Sequence, residues 1–508
     1  MRESPSFFAL AVAIVAAASF ADPDLGMHIA AGRVILHTGH IPANGIFSYT
    51  AANLPWRNHE WLAEAAIAQA YDWLGVLGLR LLKLACGAVT IAALSSALSR
   101  TRAGFRVQQV VLLFAAIGLV PYMEFRPQLF TYALLSLEMA FLSARVYGIK
   151  ARMWLLVPLF AVWANIHGGF IAGLGALGMV ACATMAQDFA CGAGPRRALK
   201  LFALMTACAL ATLANPFGLA AWTNVLHSVN DPFVRMLVPE WAPLWKRIWY
   251  EWSGLPSQLL VYLGVPIGLM CTFAYSLVKS WRTDDLPLVT VATLFSAAGL
   301  SSSRYIPLAV ITLTAPLAFH LALARRSRTV EGTGPPKPSH DGGLAINRTV
   351  LGFLVAAIVV AGREISNAPL RMQPPCPRGA VAFMENHRLR GNILNEYEWG
   401  SYLVFKTAPA SKVFVDGRTE LLYPDRLLYQ YVLFFLGRPG GREVLERYPN
   451  DLVLVEVGSG GYRMTLADSN WRLVYRDGLG ALFVRNSTET ARAFPTPLVA
   501  STPPALFP

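Results

Sequence analysis

Residues 108–144 read QQVVLLFAAIGLVPYMEFRPQLFTYALLSLEMAFLSA. Two apolar runs flank a short turn, and the charged residues of the whole stretch are Glu124, Arg126 and Glu138. Apolar runs of this kind are typical of helices that cross a membrane. The stretch therefore predicts two membrane-spanning helices joined by a tight turn, with an arginine at the membrane boundary.

The composition of the whole chain agrees with this interpretation. Of its 508 residues, 55% are hydrophobic and only 14% are charged. A soluble globular protein carries about 25% charged residues, so this chain has too little charge to cover a soluble surface of its size. The same numbers exclude a disordered or collagen-like chain.

Apolar blocks recur along the chain. We predict spans at about residues 81–98, 108–122, 128–144, 153–166, 170–187, 201–214, 258–278, 286–300, 305–324 and 349–365. The run 7–21 fits either a first span or a signal peptide that ends at Ala21, and we expect an uncleaved span because ten more follow. The fold class is thus an all-α polytopic membrane domain with about eleven transmembrane helices.

Positive charge is distributed unequally between the loops that this arrangement creates. With the N-terminus inside, the inner segments hold 17 Lys or Arg in 67 residues, and the outer segments hold 8 in 116. Cytoplasmic loops carry an excess of Lys and Arg, so the asymmetry supports this topology. It also accounts for the net charge of +13 without nucleic acid as a partner.

The membrane domain is predicted to comprise residues 1–365, with long outer loops at 22–80 and 215–257. Residues 366–493 alternate between strand and helix patterns, with strands at 392–395, 412–416 and 451–455, helices at 425–436 and 442–448, and a hairpin at 472–485. This pattern predicts a small α/β domain on the outer side of the membrane. We expect the Pro-rich tail, residues 494–508, to be loose.

Two carboxylates and a histidine open the first outer loop. Asp24 and His28 lie four positions apart, so a helix places them on one face, and Asp22 precedes them. A carboxylate beside a histidine at a membrane surface can act as a general base, and a D-x-D pair can hold a divalent cation through its oxygens. The alternative is a helix start, with Asp22 as the N-cap and Pro23 at the first position.

A second predicted helix of this loop begins near His59 and Glu60, with Asn58 as its cap. The His-Glu-x-x-His signature of zinc proteases is absent, because residue 63 is Ala. The six cysteines contain no CxxC pair, which argues against a thiolate metal site. We therefore assign no metal site, and a divalent cation at the acidic or histidine residues of this loop stays open.

Ionisable residues also stand at the predicted outer ends of spans, namely Arg126, His167 and Arg304. Charge near the hydrocarbon boundary is costly, so it usually has a partner or a function. A cavity that binds a phosphate needs such groups, and the alternative for each residue is anchoring at the interface. In the outer domain, Asp416 and Arg418 follow a strand, where either a ligand or a local Asp–Arg turn fits.

Taken in order along the chain, these stretches resemble bacterial GT-C glycosyltransferases, which are polytopic membrane enzymes that use polyprenyl-phosphate sugars as donors. The matching residues are Asp22-Pro23-Asp24, His28, Gly32, Gly39-His40-Ile41-Pro42, Ser48-Tyr49, His59-Glu60-Trp61-Leu62, Arg126-Pro127-Gln128, Asn165-Ile166-His167, Asn215-Pro216-Phe217-Gly218, Arg304, Gly400 and Asp416-Gly417-Arg418.

The resemblance implies a sugar transferase on the outer face of a bacterial inner membrane, whose partners are a polyprenyl-phosphate-linked donor, a glycan, lipid or protein acceptor, and membrane lipids. The acidic residue near the transferred sugar would be Asp22 or Asp24. We expect the substrate-binding residues to be His28, His59, Glu60, Arg126, His167, Arg304, Asp416 and Arg418.

Two other classes of function stay open on the sequence alone. A transporter or flippase of a lipid-linked substrate would show a path that reaches both faces of the membrane. A non-catalytic envelope assembly protein would show neither such a path nor a polar cavity. An enzyme should bring carboxylate and cationic side chains into an outer cavity.

Reporter fusions test the predicted topology. A reporter fused after Arg328 should read as cytoplasmic, and one fused after Gly379 should read as exported, because the run 349–365 is the last predicted crossing. Alkaline phosphatase activity measures export at both positions. The opposite pattern would discard the eleven-helix arrangement.

Overall fold

The computed structural model describes residues 20–230, 239–241, 243–244, 263–280, 284–329, 370–372, 375–418, 422–504 and 507. The chain divides into two compact units. The helical unit comprises Met1–Ala18, Leu77–Trp222 and Arg235–Ala368, and the mixed unit comprises Ser19–Val76, Thr223–Val234 and Pro369–Pro508.

Helices dominate the chain before residue 330. The described helices are α1 (Leu25–Thr38), α2 (Trp61–Leu74), α3 (Val76–Ser99), α4 (Phe105–Leu119), α5 (Gln128–Val146), α6 (Leu156–Trp163), α7 (Phe170–Ala190), α8 (Arg196–Ala211), α9 (Leu219–Asn230), α10 (Val265–Lys279), α11 (Leu286–Ser301) and α12 (Ile306–Thr329). Short 3-10 turns lie at Val120–Tyr122, Met153–Leu155, Pro239–Trp241 and Ser303–Tyr305.

Several helical stretches are long and apolar enough to cross a membrane. Among the described residues they are Val76–Ser99, Phe105–Tyr122, Gln128–Val146, Phe170–Ala190 and Ser303–Arg325. These five coincide with predicted spans, and shorter apolar helices lie at three more, at Met153–Trp163, Val265–Lys279 and Leu286–Ser301. Residues 7–19 and 349–365 lie outside the described residues, and Phe20–Ala21 at the end of the first predicted run form a short strand. The total of about eleven spans therefore stays a prediction.

Small side chains let three helices of the helical unit approach one another closely. Ala93 and Ala97 of α3, Ala140 of α5 and Ala315 of α12 form one buried cluster. Contacts between small residues are a common basis of helix packing in membranes, where hydrophobic burial alone does not favour one helix pair over another.

The mixed unit is built around a sheet. After residue 370 its helices are α13 (Arg378–Asn386), α14 (Gly400–Thr407), α15 (Asp425–Phe435), α16 (Glu443–Arg447), α17 (Gly460–Leu466) and α18 (Glu489–Ala493). The strands of the unit are β1 (Phe20–Ala21), β2 (Arg371–Met372), β3 (Gly391–Asn395), β4 (Ser411–Val413), β5 (Leu452–Glu456), β6 (Trp471–Arg476), β7 (Gly480–Arg485) and β8 (Leu498–Val499).

The six-stranded sheet has the order β4-β3-β5-β7-β6-β8. Strand β3 pairs in parallel with β4 and β5, whereas β7 is antiparallel to both of its neighbours. The strands and helices that the sequence predicted between residues 392 and 485 coincide with elements of this unit. The predicted loose tail differs from the structure, because β8 pairs with β6 and Phe507 is only 2% exposed.

The first outer loop belongs to the same unit as this sheet. The backbone N–H of Val413 donates to the carbonyl of Phe47 at 3.0 Å, and that of Tyr49 donates to the carbonyl of Val413 at 3.2 Å. Strand β1 pairs in parallel with β2. The loop that the sequence assigned to the membrane domain therefore continues the sheet beyond its edge strand β4.

The helix starts in this loop differ from the predicted ones. Helix α1 begins after Asp24, and the Oδ1 atom of Asp22 accepts a hydrogen bond from the Asp24 backbone N–H at 2.7 Å, so Asp22 is not the N-cap. Helix α2 begins after Glu60, and the Asn58 amide donates to a side chain, the Glu64 carboxylate, so Asn58 is not the cap. The Asp22 side chain thus binds the backbone just before α1, and the Asn58 side chain binds a carboxylate in the first turn of α2 instead of its backbone.

Candidate functional site

The carboxylate of Asp24 lies at the start of α1. Its Oδ1 atom accepts a hydrogen bond from the Ser401 hydroxyl at 2.9 Å. It also lies against Gly417, where an added Cβ atom would stand only 1.9 Å from the same oxygen. Any side chain at residue 417 would therefore displace this carboxylate, and glycine is required by close approach. Asp24 itself is half-buried.

Asp22 holds the backbone of Asp24 in place. Its side chain is buried, with 2% exposure, and its Oδ1 atom holds the Asp24 backbone N–H. Of the two aspartates, Asp24 is the more accessible to a substrate, and Asp22 fixes the backbone that carries it.

Asp416 and Arg418 form a bidentate ion pair. The Arg418 Nε and Nη2 atoms donate to the two Asp416 carboxylate oxygens at 2.8 and 2.6 Å. The guanidinium lies 4.5 Å from the Trp56 ring centroid and 5.3 Å from that of Phe47. Burial lowers the pKa of Arg418, but the adjacent Asp416 charge outweighs it and the pKa is raised. Both residues are buried, so their contact with a substrate stays a prediction.

His28 is part of a buried polar network. Its Nδ1 atom lies 3.1 Å from the Glu64 Oε1 atom, and the Asn58 amide donates to the other Glu64 oxygen. Burial lowers the pKa of His28, but the Glu64 hydrogen bond and the charges of Glu60, Glu64 and Asp24 together raise it to about 9. The imidazole is therefore protonated at neutral pH and forms an ion pair with Glu64.

This network is a possible cation site, since ligand atoms of His28, Glu60 and Glu64 lie within 4.8 Å of one another. An imidazole must be unprotonated to bind a metal, whereas here a hydrogen bond of 3.1 Å places a proton between the His28 Nδ1 atom and the Glu64 carboxylate. A divalent cation would have to displace this proton and break the bond between His28 and Glu64. The residues as arranged fit an ion pair better than a metal, so no chemical step is assigned to one.

His59 follows Asn58 of this network, but its imidazole has the opposite protonation state. Burial lowers the pKa of His59 to about 4, only partly offset by a hydrogen bond to the Arg57 carbonyl. Its Nδ1 atom lies 3.5 Å from the Asn224 amide. The ring is thus a neutral, buried group, and its predicted role in substrate binding is not tested.

Arg126 and Arg304 of the helical unit meet at one carboxylate, that of Glu240. The Nη1 atom of Arg126 donates to both Glu240 oxygens, at 3.0 and 3.2 Å. The Nη1 atom of Arg304 lies 3.7 Å from Glu240 Oε2. Glu124 lies 3.9 Å from the Nε atom of Arg126. Two arginines 178 positions apart in sequence thus bind the same anionic group.

These residues line an open cavity. Its walls are formed by Pro121, Tyr122, Glu124, Arg126, Gln128, Tyr132, Glu240, Ser303 and Arg304. The cavity therefore combines cationic, anionic and aromatic groups at the junctions between α4 and α5 and between α11 and α12, where the sequence predicted the outer membrane boundary.

His167 is held elsewhere in the helical unit and is not among the residues lining this cavity. Its Nδ1 atom accepts a hydrogen bond from the Gly169 backbone N–H at 2.9 Å and lies 2.9 Å from the Thr131 hydroxyl. Of the three ionisable residues that the sequence singled out at the outer ends of spans, the structure brings together Arg126 and Arg304. A role of His167 in donor binding stays a prediction.

Sequence reasoning missed several residues around Asp24 and His28 and in the cavity of Arg126 and Arg304. Glu64 follows Glu60 by one helical turn, a spacing that indicates a shared face, but its partnership with His28 is tertiary. Glu240 lies in a predicted outer loop with no periodic pattern to single it out. Ser401 is 377 positions from Asp24, its partner, and no local signal in the sequence links the two.

No family model and no curated protein sequence matches this chain. Its fold is that of GT-C membrane glycosyltransferases, as solved structures show. The apo structure of the oligosaccharyltransferase of Archaeoglobus fulgidus is similar over 89% of this chain and 69% of that chain, with a TM-score of 0.57 and 10% identity.

Two further structures agree in fold. ArnT from Cupriavidus metallidurans, solved with bound undecaprenyl phosphate, matches over 95% of this chain and 96% of that chain, with a TM-score of 0.51 and 13% identity. The arabinofuranosyltransferase AftD from Mycobacteria matches over 96% of this chain and 40% of that chain, with a TM-score of 0.50 and 13% identity. At these identities the likeness is one of fold.

The His28–Glu64 pair makes stability depend on pH. The pKa of His28 is 6.5 unfolded and about 9 folded, so the pair stabilises the fold fully below pH 6.5, by about 3 kcal/mol, and this contribution is lost as pH rises through 9. Thermal unfolding of the purified protein should show a falling melting temperature between pH 7 and 10.

Glu64→Gln should flatten this pH profile, because a neutral partner no longer favours the protonated imidazole. The matched control is His40→Gln, which replaces an exposed histidine of the same loop and should leave the profile as in the wild type. Equal slopes for the wild type and Glu64→Gln would contradict the assignment.

Proposed function

We propose that this protein is a glycosyltransferase that moves a sugar from a polyprenyl-phosphate carrier to an acceptor on the outer face of a bacterial inner membrane. The observation that carries the proposal is the convergence of Arg126 and Arg304 on one anion in an open cavity. Within a GT-C fold, two guanidinium groups that share an anion are suited to hold the phosphate of a lipid-linked donor.

The chemistry follows from the groups available. The acceptor hydroxyl oxygen attacks the anomeric carbon of the sugar, and the bond between that carbon and the phosphate oxygen breaks. The phosphate leaves with the bonding electron pair, and its developing negative charge is stabilised by the arginines. The hydroxyl proton passes to a carboxylate acting as the general base.

We assign the base to Asp24. The assignment is supported by its partial exposure and by the hydrogen bond from Ser401, which orients the Oδ1 atom. Asp22 serves as the positioning residue, since it holds the backbone of Asp24. The sugar, its hexose or pentose form, and the acceptor class are left open by this assignment.

Asparagine variants separate these two roles. Asp24→Asn should lower the transfer rate by about 10²–10⁴ because it removes the base. Asp22→Asn is the matched control, since its amide oxygen can still accept the Asp24 N–H, and it should retain most activity. The measurement is the transfer of labelled sugar from purified polyprenyl-phosphate sugars to membrane extract. Full activity in both variants would show that neither aspartate is the base.

Lysine variants test the phosphate site. Arg126→Lys and Arg304→Lys keep the charge but lose the paired N–H donors of the guanidinium, so each should raise the KM for the lipid-linked donor while the melting temperature stays close to that of the wild type. Arg197→Lys is the control, because Arg197 forms an ion pair with Asp188 in the same unit but does not line the cavity. An unchanged donor KM in both cavity variants would refute the assignment.

A further inference from the structure

The cavity proposed to hold the donor phosphate already contains an anion that belongs to the protein. The Glu240 carboxylate occupies the position between Arg126 and Arg304 that a bound phosphate would need, and both Glu240 oxygens lie within hydrogen-bond distance of Arg126. A phosphate and this carboxylate cannot make the same contacts with these two guanidinium groups at once.

Glu240 is held in place by its backbone as well as by its side chain. The hydroxyls of Ser302 and Ser303 donate to its carbonyl oxygen at 2.9 and 3.1 Å. The next residue, Trp241, lies under the guanidinium of Arg304, with 4.7 Å between the guanidinium carbon and the ring centroid. The carboxylate can therefore leave the arginines by side-chain rotation while its backbone stays anchored beside them.

The cavity holds charges of both signs. Glu240 forms ion pairs with both Arg126 and Arg304. Glu124 lies 3.9 Å from the Nε atom of Arg126. An incoming phosphate gains the full attraction of the arginines only where it replaces Glu240.

The lipid-linked donor and the lipid phosphate product of the proposed reaction differ in charge. A sugar linked to polyprenyl phosphate is a phosphodiester with one negative charge, the same as Glu240. The product is a phosphomonoester, which carries a charge of about −1.5 to −2 at pH 7. Two arginines with no competing anion would thus hold the product more tightly than the donor and slow its release.

We propose that Glu240 is a resident counter-ion that exchanges with the lipid phosphate, so that it opposes retention of the polyprenyl monophosphate product. This inference rests on the proposed function. It makes Glu240 a positioning residue for product release, acting through Arg126 and Arg304 and not on the sugar.

The test measures binding of undecaprenyl phosphate, by isothermal titration calorimetry, to the full-length protein in detergent. Glu240→Gln keeps the side-chain shape and the backbone contacts with Ser302 and Ser303 but removes the charge. We expect it to bind undecaprenyl phosphate about three- to tenfold more tightly than the wild type, since two partly exposed ion pairs no longer compete. Inorganic phosphate should show the same direction of change, whereas undecaprenol, which has no phosphate, should show none.

Glu124→Gln is the matched control. It removes the same charge from the same cavity but leaves the carboxylate between the two arginines, so its effect on binding should be smaller. In transfer assays, Glu240→Gln should lower both the donor KM and the kcat, with stronger inhibition by added undecaprenyl phosphate. A rise in donor KM would instead show that Glu240 only holds the two guanidinium groups in position.

Equal or weaker binding of undecaprenyl phosphate by Glu240→Gln would overturn the exchange, and so would an equal gain in Glu124→Gln. Either result leaves the proposed function intact as long as the wild type binds the lipid phosphate. Failure of both the wild type and Glu240→Gln to bind it would refute the phosphate site and the inference together. Binding of undecaprenyl phosphate by Glu240→Gln and not by the wild type would also support the exchange, since the wild-type carboxylate would then exclude the lipid phosphate.

Discussion

The ion pair between the buried guanidinium of Arg418 and the Asp416 carboxylate is the interaction on which the arrangement around Asp24 depends. A charge removed from water is costly unless it is paired, and here Asp416 supplies both oxygens of its carboxylate. The guanidinium also lies over the rings of Trp56 and Phe47, which belong to the segment between α1 and α2. The ion pair comes from one end of the chain and the rings from the other, so this single group joins the two.

The position of the carboxylate assigned as the base follows from this junction. Because the loop from Asp416 to Arg418 is held rigidly by its own ion pair, Gly417 presents a bare backbone surface to Asp24. The Ser401 hydroxyl then orients one carboxylate oxygen. Asp24 is thus positioned by Ser401 and Gly417, although it lies near the other end of the chain.

The sequence predicts those parts of the structure that leave a periodic or compositional signal. Apolar runs located five of the helices that are long enough to cross a membrane, and strand patterns located β3, β5, β6 and β7. It also singled out Asp22 and Asp24 by their spacing to His28, and Arg126, His167 and Arg304 because charge at a membrane boundary is costly and usually has a partner or a function.

Tertiary partners leave no such signal. Glu240 lies 114 positions from Arg126, and only the folded chain brings the two together. The helix caps failed for a related reason. Asp22 and Asn58 have side chains suited to capping, but Asp22 accepts from the Asp24 backbone N–H just before its helix and Asn58 donates to the Glu64 carboxylate. Local propensity cannot reveal which of several partners such a side chain will take.

The joining of early and late segments also sets a time scale for assembly. The Ser48 hydroxyl donates to the carbonyl of Phe414, 366 positions later. At about 5–20 residues per second, a ribosome needs on the order of 20–70 seconds to make the intervening chain. During that interval the rings of Phe47 and Trp56 lack the guanidinium that later covers them. The newly made segment therefore keeps these two rings exposed to water until its partner has been synthesised.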